Sequence, residues 1–354
     1  MTAPALARDP RRILVRAPNW VGDVVMATPA FRALRERFPE AEISLQVRET
    51  LAPLLDGAPW FDDVLAVSSH GRGVFATLAE GRALRRHGFD LGICLPDSLS
   101  SALLMRAAGV GEVVGYARGQ RGAFLHRAVP PLRGDDGGEF VARERQVLGL
   151  SAAAGAPSED TRLELFTTEA EEAEAQAALD EAGVGAGEGL VALAPGAAYG
   201  PSKCWPPSHF ARLADALAGD GLRVVLVGAP NERERSAEVV AASTAPPVDR
   251  TGRISLGGLK ALLRRARALV CNDAGARHVA VAFDTPVVCL FGPTSLAKTN
   301  LNLERVSVLA ADVGCRPCYH RTCPIDHRCM TRIEPARVLA ATRAVLADAA
   351  TAPR

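Results

Sequence analysis

Lys203 lies in the segment Pro195-Gly196-Ala197-Ala198-Tyr199-Gly200-Pro201-Ser202-Lys203-Cys204-Trp205-Pro206, directly after the apolar run Val191-Ala192-Leu193-Ala194. A strand opening into a loop punctuated by glycine and proline presents backbone donors, and here one ammonium, to an anionic ligand at the carboxyl edge of a sheet. An ammonium there can neutralise charge on a leaving phosphate, with a benefit that grows as the bond breaks. The alternative is an ordinary solvated lysine. The Gly-Lys-Ser/Thr core of an ATP-hydrolysing phosphate loop is absent.

A second turn, Asn19-Trp20-Val21-Gly22-Asp23, follows the N-terminal run Ile13-Leu14-Val15. Its carboxylate, Asp23, suits either a general base at a cleft or compensation of free N–H groups at a helix start. Asn19, Trp20 and Gly22 either face a ligand or shape the turn. Farther along, Leu269-Val270-Cys271-Asn272-Asp273-Ala274-Gly275 reads as a strand opening a helix, whose first N–H groups and dipole suit a phosphate. Asp273 can cap that helix or accept hydrogen bonds from sugar hydroxyls, and His278 either reaches the same ligand or sits in the core. Phe291-Gly292-Pro293-Thr294-Ser295 adds a third strand-end turn with hydroxyl donors. Near the end, Cys315, Cys318, Cys323 and Cys329 fall within fifteen residues, with His320 and His327 between them. That density allows a structural zinc or iron–sulfur site, reduced packing or local disulfides.

The elements that position these residues alternate between strand and helix. Strands are expected at 13–15, 42–47, 64–67 and 91–95, and helices at 24–38, 51–55, 75–86 and 139–148. An Ala/Ser/Gly/Pro stretch at 151–160 reads as a linker. Thr168 to Ala182 reads as an acidic helix capped by Thr168 with a solvated charged face. The pattern then restarts with strands at 190–194, 223–227, 268–271 and 287–290 and helices at 207–218, 232–241, 259–267, 275–282 and 335–346. Such alternation predicts mostly parallel sheets covered by helices, in two α/β units joined near residue 160 with a cleft that can close.

With 354 residues, 48% of them apolar, the chain can build two cores. A net charge of +1 argues against nucleic acid as the main partner, although Arg82-Arg85-Arg86 and Arg118-Arg121-Arg127 are local basic clusters. The first residues lack a secretory apolar stretch and no run is long enough to span a bilayer, so a soluble intracellular protein with thiol cysteines is expected. Neither half shows a Gly-x-Gly-x-x-Gly with an acid at the right distance, which disfavours a dinucleotide dehydrogenase.

Taken in order, Arg16-Ala17-Pro18-Asn19-Trp20-Val21-Gly22-Asp23, the loop from Pro195 to Pro206, Thr251-Gly252-Arg253-Ile254-Ser255-Leu256, Asn272-Asp273-Ala274-Gly275 with His278, and Phe291-Gly292-Pro293-Thr294 resemble the blocks of the ADP-heptose:lipopolysaccharide heptosyltransferases. These belong to glycosyltransferase family 9, and the heptosyltransferase II branch also resembles the Cys-rich tail. The resemblance implies an α/β fold of GT-B architecture, two Rossmann-like domains facing across a cleft, with residues 1–160 binding acceptor and 161–354 binding nucleotide sugar. It implies inverting transfer of L-glycero-D-manno-heptose from ADP-heptose to the first heptose of the lipopolysaccharide inner core, with no metal or other cofactor in catalysis.

Under the resemblance, Asp23 matches the general base and Lys203 the lysine that steadies departing ADP. Asp273 matches a carboxylate holding heptose hydroxyls, Ala274 and Gly275 the helix start at the diphosphate, with His278 nearby, and Glu232 an acid at the ribose. Asn19, Trp20 and Gly22 fall to acceptor or loop support. The implied acceptor, a lipid A–core oligosaccharide, places the protein in the cytoplasm with peripheral contact to the inner membrane, where Trp20, Trp60 and the arginine clusters are rim candidates. Three positions depart from the pattern: Ala198 stands for an acid, Cys204 for an arginine and Ala274 for a hydroxyl residue. The alternatives are another inverting nucleotide-sugar transferase of the same fold and a nonenzymatic nucleotide-sugar or lipid-headgroup binding protein.

Overall fold

The computed structural model describes residues 9–67, 73–134, 141–185 and 189–351. It divides into two compact units, one running to Phe166 and including Ala297–Leu301, the other comprising Thr167–Leu296 and the chain from Asn302 onward.

The first unit is a six-stranded sheet of β1 (Arg12–Arg16), β2 (Glu42–Arg48), β3 (Asp63–Val67), β4 (Leu91–Cys94), β5 (Glu112–Tyr116) and β6 (Arg127–Val129), in the order β3-β2-β1-β4-β5-β6. The second contains β7 (Leu190–Ala194), β8 (Arg223–Leu226), β9 (Val248–Asp249), β10 (Ala268–Asn272), β11 (Val287–Phe291) and β12 (Val306–Ala310), in the order β12-β11-β10-β7-β8-β9. Every pairing is parallel. Read from each unit's first strand, both orders are 3-2-1-4-5-6, the Rossmann arrangement, in which the chain reverses direction across the sheet between the first and fourth strands. That switch point falls between β1 and β4 in one unit and between β7 and β10 in the other, and crossovers leaving adjacent strands in opposite directions open a crevice there.

Burial explains the apolar runs. All five residues of β7, β10 and β11 are buried, as expected of central parallel strands covered on both faces. The second unit's core gathers Val191, Leu193, Val270, Val288 and Leu290 with Trp205, Phe210 and Met330.

The expected helix 24–38 is two helices, Val21–Val25 and Thr28–Arg37. Pro29 has no N–H to offer the Val25 carbonyl, and the Thr28 hydroxyl donates to that carbonyl at 2.8 Å instead. Asp23 therefore lies inside a short helix rather than in the turn before it. Other boundaries also shift: residues 49–55 form a 3₁₀ helix, the helix expected from 139 is Arg143–Ala153, and that expected from 259 is Leu256–Arg265, capped by the Ser255 hydroxyl. Residues 139 and 140 lie outside the described residues.

Thr168 caps Glu169–Glu181 in a reciprocal box with Glu171. The acidic face is not simply solvated, because Glu171 forms an ion pair with the fully buried Lys260 at 3.0 Å and Glu172 pairs with Arg264 and Arg265. Trp60 is 3% exposed and packs against Phe31, Phe61 and Phe166, which removes it as a rim contact. Arg121 is buried beside Asp97, and Arg127 pairs with Glu112, so that arginine cluster is not an open cationic face.

Candidate active site

In the second unit, the loops leaving β7 and β10 meet at the switch point. The β7 loop ends in a single 3₁₀ turn, Pro201–Lys203. Buried Asn272, the last residue of β10, ties this loop down: its amide donates to the Pro195 and Gly196 carbonyls at 2.8 and 3.2 Å, and its oxygen accepts the Trp205 N–H at 2.9 Å. The Trp205 indole is fully buried and donates to the Ile333 carbonyl. Anchored at both ends, the loop delivers the Lys203 ammonium to Asp273, 2.5 Å from Oδ2 and 2.9 Å from the backbone carbonyl.

Asp273 is nearly enclosed. The Thr294 hydroxyl, from the loop after β11, donates to Oδ2 at 2.8 Å, and the Arg277 guanidinium stands 3.8 Å from Oδ1. Burial alone would raise this carboxyl, but Lys203, Thr294 and Arg277 together hold it below its ordinary value. The two residues assigned by resemblance to leaving group and sugar are thus one charge pair. The Lys203 ammonium also lies over the Tyr199 ring, 5.2 Å from its centroid.

Glu232 occupies the space left by two glycines. A Cβ on Gly196 would lie 2.1 to 2.6 Å from the Glu232 carboxyl atoms, and one on Gly228 would lie 2.6 Å from Oε2. Glu232 Oε2 accepts the Ala229 N–H at 2.8 Å, and burial pushes its carboxyl above the ordinary value. The acid therefore sits over the ends of β7 and β8, on the same rim as Lys203.

The helix Gly275–Val281 begins at Ala274, which makes no side-chain cap bond. His278 is 5% exposed, and burial first, then Arg277, push its imidazole down to about 3. It is neutral near pH 7, so it can offer a ligand hydrogen bonds but no charge. Between pH 6.5 and 3 the unfolded chain binds a proton here that the folded protein refuses, so stability falls as pH drops through that window. In urea unfolding from pH 6.5 to 4, the wild type should lose about 1.4 kcal/mol more per pH unit than His278→Gln. Equal slopes would show that the imidazole is not held neutral.

In the first unit, Asp23 is one-third exposed and lies 3.6 Å from the Arg143 guanidinium. Arg143 also donates to the Leu95 carbonyl at 3.1 Å and to Gln146 at 3.0 Å, linking the carboxylate to the chain leaving β4. Asn19 accepts from Arg16, and Trp20 remains 48% exposed. Asp23 and Leu95 thus lie on either side of this unit's own switch point. Arg143 and Asn272 had no assigned role in the sequence reading, and Thr294 was expected only as a hydroxyl donor; Asn272 is signalled by its place at a strand end, whereas Arg143, the first residue of the helix Arg143–Ala153, carries no local signal.

Cys315, Cys318, Cys323 and Cys329 line one cavity of about 140 Å³ together with Arg316, His320 and Arg328. Every described cysteine is a free thiol, and among the described residues no three His, Cys, Asp or Glu are placed to hold a metal ion. The four sulfurs thus share the wall of one cavity, none of them joined in a disulfide. Burial, then the three neighbouring sulfurs, push the Cys329 thiol up to about 11.

The family model for glycosyltransferase family 9 (heptosyltransferase) matches residues 77–328. Lipopolysaccharide heptosyltransferase 2 of Salmonella typhimurium is 28% identical over 95% of this chain and 99% of its own length. The structure of E. coli ADP-heptose lps heptosyltransferase II, 26% identical, covers 95% of this chain and 99% of that one with a TM-score of 0.79. A family 9 glycosyl transferase from Veillonella parvula, 23% identical, shares the fold with a TM-score of 0.85 over 98% of this chain and all of the other. Two Rossmann-like lobes of the GT-B kind, with a lysine–aspartate pair at one switch point, accompany these matches, and the chain belongs to glycosyltransferase family 9.

Proposed function

We propose that the protein transfers L-glycero-D-manno-heptose from ADP-heptose to the first heptose of the lipopolysaccharide inner core, with inversion at the anomeric carbon. The observation that carries this reading is the Lys203–Asp273 pair at the switch point of the second lobe, in a chain aligned along nearly its whole length with heptosyltransferases. The unit from Thr167 onward binds the donor and the preceding unit binds the acceptor.

The diphosphate competes with Asp273 for the Lys203 ammonium, and the backbone N–H groups of Ala274 and Gly275 face the same phosphates. Asp273, relieved of part of its pairing, accepts hydrogen bonds from heptose hydroxyls, with neutral His278 alongside. Glu232 takes the ribose hydroxyls. As the C1–oxygen bond to ADP breaks, negative charge grows on the leaving phosphate, where a cation is worth most. The acceptor hydroxyl attacks C1 from the opposite face, and Asp23 receives its proton. A single displacement of this kind needs no enzyme nucleophile. Asn19, Trp20 and Gly22 shape the acceptor side of Asp23, and the lipid-linked acceptor brings the protein to the cytoplasmic face of the inner membrane. Among the described residues no helix is long and apolar enough to cross a membrane.

Mass spectrometry of a reaction with ADP-heptose and a monoheptosylated core acceptor is expected to show a gain of one heptose. Transfer only to other truncated acceptors, or from another nucleotide sugar, would move the protein elsewhere within its family. ADP binding without transfer to any acceptor would make it a binding protein.

A further inference from the structure

The Cys-rich segment, which the mechanism above leaves unused, touches the donor loop through backbone carbonyls and the His327 ring. All three polar atoms of buried Ser202, the residue before Lys203, are taken by this segment: its N–H donates to the Arg321 carbonyl at 3.1 Å, its hydroxyl to the His320 carbonyl at 2.5 Å, and its carbonyl accepts from His327 Nε2 at 2.7 Å. A carbonyl can only accept, so Nε2 carries the proton. The Tyr199 hydroxyl donates to the Tyr319 carbonyl. Gly200, at φ 151°, lies so close that a Cβ there would meet the Arg321 carbonyl oxygen at 2.6 Å.

The same segment holds the opposite loop. The N–H groups of Cys318 and Tyr319 both donate to the Pro293 carbonyl at 3.0 Å, and Arg316 donates to the Gly292 carbonyl at 2.6 Å. Pro293 directly precedes Thr294, whose hydroxyl holds Asp273. One stretch of chain thus fixes both loops that converge on the Lys203–Asp273 pair.

We propose that residues 316–327 act as a clamp that sets the position of Lys203 for leaving-group stabilisation, with His327 and Ser202 as positioning residues. His327 is the side chain that closes it. Its backbone is left-handed at φ 58° and its N–H donates to the Cys323 sulfur at 3.3 Å, so the ring is presented to Ser202 from a fixed point. The inference rests on the reading of Lys203 as the cation at the departing diphosphate, because only then does a displaced loop cost turnover.

The test compares wild type with His327→Ala, His327→Asn and His327→Gln by heptose transfer and by amide hydrogen exchange of peptides covering Tyr199–Trp205. Asparagine tolerates the left-handed backbone but is too short to reach Ser202, whereas the glutamine side-chain amide can replace the Nε2 donor. His327→Ala and His327→Asn are expected to lower kcat between about 10- and 100-fold and to speed exchange in the loop, while His327→Gln restores most of both. Unchanged exchange in the Ala and Asn variants overturns the clamp. So does a Gln variant no better than Ala, which would reduce His327 to a packing residue. Failure of the wild type to transfer heptose defeats the functional reading instead, and the exchange comparison still decides the clamp.

Discussion

Replacing Lys203 with alanine is expected to lower kcat by about 10²- to 10³-fold, the loss typical of removing one donor aimed at charge that develops in a transition state. ADP affinity should fall as well, and for two reasons. The diphosphate loses its cation, and Asp273 is left facing it as a nearly enclosed carboxylate that keeps Thr294 and Arg277 but has lost its nearest cation. Leaving this buried carboxylate without its nearest cation costs stability, of order 3 kcal/mol for breaking one side of a buried pair. Lys203→Ala/Asp273→Asn removes the under-compensated charge and should recover most of that stability in urea unfolding while leaving turnover low. Such non-additivity is expected of side chains 2.5 Å apart. If the double variant were as unstable as Lys203→Ala, the pair would not be the unit the geometry suggests. If Lys203→Ala turned over normally, the leaving-group assignment would fall.

Much of this half-site is legible in the sequence because strand ends announce themselves. An apolar run such as Val191 to Ala194 followed by Pro195-Gly196 fixes where a strand stops, and a buried parallel strand must deliver its next residues to the carboxyl edge. Alternation of strand and helix gave the α/β class, and the paired restart gave two units. The weakly patterned elements were not legible. Leu99–Ala107 follows the loop Pro96-Asp97 and is held by the Ser98 cap, but in so short a segment its apolar residues run together from Ala102 to Met105 and show no clear helical period. The edge strand β6 and the two-residue β9 carry too little burial to leave a signal. Long-range partners were hidden for a different reason. Nothing near Gly196 announces that Glu232 fills its missing side chain, nor does anything near Ser202 name His327, because those contacts exist only after folding brings distant loops together.

The break after Val25 matters most for the other half of the chemistry. Pro29 ends the first helix after a little over one turn, so the Asp23 carboxylate is carried on a short helix rather than on the long one that the apolar spacing suggested. Arg143, with the Leu95 carbonyl and Gln146 as its other partners, holds the carboxylate on one side, and about one-third of that side chain stays open to a proton donor. Asp23→Asn retains the shape and an oxygen for Arg143 but cannot take up a proton at neutral pH. It is expected to cut kcat by about 10²- to 10⁴-fold, the range for losing a positioned general base, while ADP binding measured by calorimetry changes less than about twofold. That split is opposite to Lys203→Ala, where turnover and ADP affinity fall together. An Asp23→Asn enzyme within a few-fold of wild-type kcat would remove this residue as the base. A large loss of ADP affinity would show instead that the substitution acts through the donor side, because a carboxylate that only accepts the acceptor's proton has no reason to alter nucleotide binding.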